Sequence, residues 1–494
     1  MRMTVRLLLA VIFLLTVVRA VEYCGYVSVQ SQSPFDAHYL ESAMVHFAWR
    51  VQHGIRLYPD WESYPHVANF FSPLSFLIIG LVGRALGTDI RGLYLVGRGL
   101  SIVSVVATSI VIGVVLKRRY GVRAAIFGML LSFGGCPLYA AGVMTRPDAL
   151  AEFLGMTGFF LSEGRSRSTG IAAGLMLCLA AMTKQTTLVY FGAAAISLYL
   201  KGQWRRALIL IAGVTTTILV TVTVVQWLIE PNFVRSLLGE SRTPRTLEAW
   251  WDTVRTVASI DPELFVLAAA GVFLWITDCK REPGLAALAL VIFTTELLTA
   301  AKRGSAPNYF VGACYVSALA GGALWFEMTQ ANARPKAWQL FAVVVVGAGL
   351  MLSIKAVNAY LTVSIRGLQR AHSNGSMDYY DRLRRAAERS KDRLLTDDGE
   401  IDIYRGESTV FADPWLFKLM VQEGQIDPRK MRSMIREQYY DRIITRKSLF
   451  SQDYLSFDRG LPVTLANEAR LHYEPTGEFG GLFFYGRRAR PSSH

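Results

Sequence analysis

Residues 31–73 read SQSPFDAHYLESAMVHFAWRVQHGIRLYPDWESYPHVANFFSP. They follow the first apolar segment and end where Pro73 and Leu74 open the next. Asp36 stands a few residues past the end of a helix that the pattern assigns to the membrane. Amphipathic residues come after it, then Gly54, Leu57, Tyr58 and Pro59. A polar, acid-bearing loop pressed against a membrane is a place where a water-soluble molecule and a lipid-borne one can meet. The other segments read as the walls of that place.

Composition supports the membrane setting. Of 494 residues, 52% are hydrophobic and only 18% charged, too apolar for an ordinary soluble chain of this length. Long continuous apolar runs repeat through about the first three quarters, which favours helices over an alternating β-barrel. The net charge of +14 fits Lys and Arg in cytoplasmic loops, and no nucleic-acid motif accompanies it. Cys24, Cys136, Cys178, Cys279 and Cys314 lie in or beside apolar segments and form no CxxC pair, so they read as small core residues. The N-terminal MRMTVRLLLAVIFLLTVVRAVEYCG has the basic start and apolar middle of a secretory signal. No small-x-small cleavage site stands out, so it reads as an uncleaved first helix with its basic end in the cytoplasm.

Further apolar runs span Phe70 to Gly87, Leu93 to Leu116, Ala124 to Val143, Ala149 to Leu161, Thr169 to Met182 and Thr186 to Leu200. Others span Ala207 to Ile229, Leu264 to Thr277, Gly284 to Ala300, Tyr309 to Phe326 and Trp338 to Leu361. Basic clusters at 117–123, 165–167, 201–206, 280–281 and 334–336 belong in the cytoplasm, leaving Asp148, Lys184, 230–261 and 302–308 on the other face. Asp36 shares that face with Asp148 only if one intervening run does not cross. The run from Phe70 to Gly87, interrupted by Gly80 and Gly83 and carrying Arg84, is the one expected to be re-entrant or to lie along the surface. Eleven crossings and an extracytoplasmic C-terminus follow. From about Ser364 the chain turns polar and no later run is long enough to span. Basic helices are expected near Asp378 to Leu394 and Pro428 to Gln438, and strands at Ser408 to Phe411, Arg442 to Thr445 and Leu482 to Tyr485.

Candidate chemistry gathers at a few points. Asp36 can take a proton from an attacking hydroxyl or orient it; an Asp before an amphipathic helix is also an ordinary cap. His38, Glu41 and His66 read as polar loop or helix residues, and Asp36, His38 and Glu41 have no recognised metal-ligand spacing. Thr145-Arg146-Pro147-Asp148 sits at a helix start. Asp148 there is either a dipole partner or a second site acid that positions an acceptor or ligates a metal. Arg146 has the planar fork that suits phosphate oxygens, or it pairs with Asp148. Thr183-Lys184-Gln185 interrupts two apolar runs, where an ionisable residue is costly unless it serves a site or snorkels to the interface. The same choice applies to Lys302 and Arg303 in AKRGSAPNYF, which continues through a shaped turn to Asn308 and Tyr309. Several cations on one membrane face would suit a lipid phosphate or diphosphate. No GxxxxGK[ST], HExxH or GxSxG motif is present, and nothing points to ATP.

Taken in order, Asp36, GIRLYPD (Gly54 to Asp60), SPLSF (Ser72 to Phe76), TRPDAL (Thr145 to Leu150), TKQT (Thr183 to Thr186) and KRGSAPNYF (Lys302 to Phe310) form a pattern over about the first 330 residues. It resembles the membrane glycosyltransferases of the GT-C fold, in particular the branch like glycosyltransferase family 39. That group contains protein O-mannosyltransferases and, in a related branch, aminoarabinose transferases. The resemblance implies a polyprenyl-phosphate sugar donor entering from the bilayer, an acceptor from the extracytoplasmic side, and inversion by direct displacement. It implies Asp36 as catalytic base and Asp148 as an active-site acid, with Arg146, Lys184, Lys302 and Arg303 on the donor phosphate. His38, Glu41, Tyr58, His66, Gln185, Asn308 and Tyr309 are candidates for acceptor or sugar contact. Ala37 follows Asp36 where some relatives carry a second acid. Phe71 and Ser72 precede the Pro-Leu pair where aminoarabinose transferases carry an acidic-basic pair. Donor identity and metal use stay open; no cofactor is assigned, and a divalent metal is kept as an alternative.

The expected architecture is an all-α polytopic membrane protein, GT-C-like, with about eleven transmembrane helices plus a re-entrant or surface segment. Residues 1–363 form the catalytic domain, with 31–73 as its first extracytoplasmic loop, and 364–494 form a small soluble α/β domain. The expected location is the plasma or inner membrane, with the site and the C-terminal domain outside. Expected partners are a polyprenyl-phosphate-linked sugar, a glycan, lipid or protein acceptor, and membrane lipids, with no nucleic acid. The competing readings are a transporter or lipid-linked sugar flippase, for which matched internal halves are missing, and a non-catalytic assembly protein.

Overall fold

The computed structural model describes residues 2–31, 40–239, 243–277, 282–329, 343–344, 347–352, 354, 358, 392–406, 409–456, 460–479 and 481–489. Asp36, His38, residues 378–391 of the expected helix Asp378 to Leu394, the boundary at 363/364 and most of the apolar run Trp338 to Leu361 lie outside the described residues. The described end of that helix, 392–394, is not helical, and Leu394 opens a strand.

The helical part runs α1 (Arg2–Gln30), α2 (Glu41–Gln52), α3 (Leu74–Leu86), α4 (Ile90–Tyr120), α5 (Val122–Leu131), α6 (Cys136–Ala141), α7 (Asp148–Ser162) and α8 (Arg167–Thr183). It continues with α9 (Leu188–Leu200), α10 (Trp204–Val224), α11 (Phe233–Gly239), α12 (Leu247–Ile260), α13 (Pro262–Thr277), α14 (Pro283–Thr299) and α15 (Val311–Thr329). Local signals explain several ends. Asp89 caps α4 by accepting from the Gly92 amide at 3.0 Å, and Lys117, Arg118 and Arg119 sit at its negative end. Ser166 and Thr246 cap α8 and α12 through the amides three residues on.

By length and apolarity, four helices among the described residues can cross a bilayer: Leu7–Gln30, Ile90–Tyr120, Trp204–Ile229 and Pro307–Thr329. A fifth exists if α12 and α13, which meet at a 95° bend, count as one broken span. Other apolar helices, α3, α5, α8 and α14 among them, have 10–17 residues, short of the ~20 that a ~30 Å hydrocarbon core requires. The expected eleven full crossings are thus not matched one for one. Gly80 and Gly83 do not interrupt α3, which is unbroken over 13 residues. They let it pack closely: a Cβ at Gly80 would lie 2.5 Å from the Ala48 carbonyl oxygen of α2. The run Ala124 to Val143 is not one helix but α5 and α6, separated at 132–135. There the Gly134 carbonyl accepts from Arg19 of α1.

Two buried arginines tie the bundle together. Arg19 also pairs with Glu263 and, at 3.3 Å, Asp261, so α1 is pinned to the α12–α13 corner. Arg98 of α4 makes two 2.8 Å contacts to Glu41 and donates to the Gln30 carbonyl at 3.1 Å. It therefore grips both flanks of the loop that contains Asp36. Charge also gathers at one end of the bundle. Glu163, just past α7, pairs with Arg119 and Lys201, and Arg119 also pairs with Glu282. The links α4–α5, α7–α8 and α9–α10, with the start of α14, meet there. Asp148 is at the opposite end of α7.

Residues 392–489 carry a mixed sheet in the order β1 (Leu394–Thr396), β2 (Arg442–Thr445), β4 (Leu482–Arg487), β3 (Tyr473–Phe479). β1 and β2 are parallel; β4 is antiparallel to both neighbours. With it go α16 (Gly399–Ile403), α17 (Pro414–Gln422), α18 (Arg429–Arg436) and α19 (Val463–His472). The expected strands at 442 and 482 and the helix near 428 are present. The described residues 409–411 of the expected strand at 408 are irregular, and β3 escaped notice because its side chains are mostly exposed and carry no alternation. The core under this sheet, with Ile443, Leu465 and Tyr485, also contains Trp61, Ala68 and Phe70. The first loop is therefore part of the C-terminal hydrophobic core.

Candidate active site

Asp148 opens α7 and is 2% exposed. Lys184, extended between α8 and the 3-10 turn Gln185–Thr187, places its ammonium 2.6 Å from Asp148 Oδ1. Arg146 Nε donates to Oδ2 at 3.0 Å, and Asn308 Nδ2, from the 3-10 turn before α15, donates to Oδ1 at 3.0 Å. Three motifs separated by up to 160 residues thus meet on one carboxylate. The Lys184 ammonium also lies 5.3 Å from the centre of the Tyr309 ring, a cation–π distance.

The three partners of Asp148, namely Arg146, Lys184 and Asn308, line a cleft of about 90 Å³ together with Lys302, Arg303 and Tyr309. Lys302 and Arg303 are held by backbone pairing: the Arg303 amide donates to the Pro244 carbonyl at 2.8 Å and the Thr246 amide to that of Ala301, also at 2.8 Å. Gly304 then turns with φ +83°, and a Cβ there would meet the Trp415 ring at 2.2 Å, so both backbone and space require glycine. Apolar wall comes from Leu40, Phe70 and Phe71, and the far side from Asp413, Trp415 and Leu416. Asp413 caps α17 by accepting from the Leu416 amide at 3.1 Å.

The remaining sequence candidates are scaffold rather than wall. Glu41 is fully buried; besides Arg98 it accepts from the Thr145 amide at 2.7 Å, so it fixes the start of the TRPD turn. Tyr58 is buried and donates to the Phe71 carbonyl at 2.7 Å, while Glu230 accepts from the Leu57 and Tyr58 amides. Gln185 donates to the Phe70 carbonyl at 2.8 Å. Tyr58 and Gln185 therefore hold the two phenylalanines against the cleft. His66 is buried beside Phe417, with Nδ1 3.1 Å from the Trp61 carbonyl oxygen, and burial lowers its pKa. Its place is in the core that joins loop and sheet.

Asp413 and Trp415 were not found by sequence reasoning. The Asp413-Pro414 pair is a legible helix start, but nothing local ties residue 415 to a motif more than a hundred positions earlier. Glu152, Tyr190 and Glu296, behind Lys184, were missed as well. Tyr190 donates to Glu152, and Glu296 accepts from the Gly312 and Ala313 amides at 2.9 Å. Among the described residues no group of three His, Cys, Asp or Glu side chains could hold a metal. The Asp148 carboxylate is already taken by two cations and an amide, which leaves it a poor metal ligand.

No protein-family model and no curated protein sequence matches the chain. Solved structures do. The chain aligns with ArnT, the aminoarabinose transferase from Cupriavidus metallidurans, solved with undecaprenyl phosphate, at TM-score 0.55 and 16% identity, covering 96% of this chain and 98% of that one. It aligns with the apo oligosaccharyltransferase of Archaeoglobus fulgidus at TM-score 0.55 and 11% identity, covering 96% and 74%. The A. fulgidus AglB structure with an inhibitory peptide and a dolichol-phosphate matches at TM-score 0.53 and 12% identity, over 97% and 74%. These neighbours are GT-C fold glycosyltransferases, and at such identities the likeness establishes the fold.

Proposed function

We propose that this GT-C fold protein is a membrane glycosyltransferase that takes a sugar from a polyprenyl-phosphate donor and passes it to an extracytoplasmic acceptor. The observation that carries the reading is the convergence of Arg146, Lys184, Lys302 and Arg303, from three distant segments, on one cleft. Structural neighbours solved with undecaprenyl phosphate and with dolichol-phosphate support the same ligand class.

Asp36 is the base. Leu40, four positions further along the chain, lines the cleft, which supports this role. The acceptor hydroxyl gives its proton to Asp36 and attacks the anomeric carbon. The carbon–oxygen bond to phosphate breaks on the opposite face, and the electron pair leaves on the lipid phosphate. Its growing negative charge is met by cations already oriented in a partly dehydrated cleft. Asp148 is a positioning residue: held between Lys184 and Arg146, it lets two like charges stand side by side and aims them. The basic links at the other end of α7 fit the cytoplasmic side, which supports an extracytoplasmic cleft.

The test is a transfer assay with purified protein and an undecaprenyl-phosphate-linked sugar, paired with binding of undecaprenyl phosphate. Asp36→Asn is expected to abolish transfer and keep binding. Lys184→Ala and Arg146→Ala are expected to weaken binding and transfer. Wild-type binding by both cation variants would remove the phosphate assignment.

A further inference from the structure

We propose that a second lipid site, at the opposite end of the bundle from the cleft, seats an anionic phospholipid between α8 and α10. A groove of about 700 Å³ runs there, within the ~300–1,000 Å³ usual for small-molecule sites. It exists because both helices are pared to backbone along it. A Cβ at Gly170 or Gly213 would meet nothing within 4 Å, and one at Gly174 only a Val214 methyl at 3.9 Å. Leu198 of α9 helps to line it.

Two independent features identify the occupant. The first is charge. Arg165, Arg167 and Arg206 line the same groove, at the end where Ser162 closes α7. Arg206 is fixed by donating to the Ser162 and Gly164 carbonyls, acceptors that carry no formal charge to offset its own. The nearby Glu163 is committed to Arg119 and Lys201. The positive end of α8 adds to the same field. The second feature is setting. In the span Trp204–Ile229 only 11% of the apolar window is buried among the described residues, so this side of the protein is a broad apolar surface of the kind a bilayer covers. An apolar slot open to lipid and ending in three guanidinium groups matches a molecule with acyl chains and an anionic head. Basic pockets of this kind on the cytoplasmic side suit acidic phospholipids.

The inference needs the membrane reading but not the transferase reading, and its experiment measures no transfer. Full-length protein is purified in a neutral detergent, and native mass spectrometry and thermal melting are followed with added phosphatidylglycerol or with phosphatidylcholine of the same chains. Retention of phosphatidylglycerol with a raised melting temperature is expected, with phosphatidylcholine giving little of either. Arg165→Ala with Arg167→Ala removes two exposed charges and should weaken that retention about thirtyfold. Gly213→Leu fills the slot in a helix that tolerates leucine, and should abolish retention while every charge remains. Equal retention of the two lipids, or undiminished phosphatidylglycerol binding in both variants, would overturn the proposal. So would a dimer of the wild-type chain that Gly213→Leu dissolves, since the groove would then be a subunit interface.

Discussion

Two aspartates that look alike in the sequence should behave differently when changed. Asp148 is buried and neutralises Lys184 and Arg146, so Asp148→Asn leaves two cations facing each other without a counter-charge. Breaking a buried pair from one side costs roughly 3–5 kcal/mol. Thermal melting in detergent should record that loss, and transfer should fall with it. Asp36→Asn should leave the melting temperature unchanged and cut transfer by about 10²–10⁴, the usual share of a general base. Lys184→Ala should lower turnover by about a hundredfold, the scale seen when one transition-state donor is removed. Much of this residue pattern was legible beforehand. Arg146, Lys184, Lys302, Arg303, Asn308 and Tyr309 were singled out because charge and amide groups between apolar runs need a reason to be there. Glu41, Tyr58 and His66 stood out for the same polarity. A single sequence does not reveal that Glu41 is held by Arg98 and the Thr145 amide, or that Tyr58 donates to the Phe71 carbonyl.

Elements were readable where a local rule governs them. Pro147 and Asp148 announce the start of α7, and the strands at 442 and 482 carry enough β-branched and aromatic residues to be seen. The break between α5 and α6 was missed although Gly134-Gly135 and Pro137 mark it locally. What the sequence does not show is that Arg19, more than a hundred residues away, binds the Gly134 carbonyl there. The C-terminal sheet offers a test at this scale. Burial pushes Asp397, at the end of β1, and Asp402, on α16, up to about 7. An unfolded aspartate titrates near ~3.9, so the folded form keeps protons that the unfolded form releases. The resulting stabilisation is complete below about pH 4 and is lost as pH rises through 7. Glu468 runs the other way: bonds from Arg436 and Arg432 hold it at about 2, so its contribution disappears only as pH falls toward that value. Hydrogen exchange in β1 and β2, corrected for intrinsic rate, should be slower at pH 5.5 than at pH 8. Asp397→Asn should shrink the difference.

At the scale of the molecule, the sequence divides at about residue 363, yet the packing does not respect that division. Trp61 is buried in the core that also holds Phe417 and Leu465. Trp61→Ala should therefore cost about 3–5 kcal/mol, and the loss should show as faster exchange in the C-terminal sheet, not in the spanning helices. A chain cut after residue 363 should expose Trp61, Ala68 and Phe70, and should aggregate in detergent where the full-length protein stays dispersed. Both outcomes separate a shared core from two units joined by a tether.

Trp415 stands over Gly304 and Phe70 faces the same cleft, so its walls come from chain that leaves the ribosome early and chain that leaves it late. At ordinary rates of synthesis, tens of seconds on the order of a minute separate those two moments. Until residue 415 emerges, the cleft lacks the wall that Trp415 supplies. Under the proposed transfer reaction, a chain halted before residue 415 is therefore expected to be inactive.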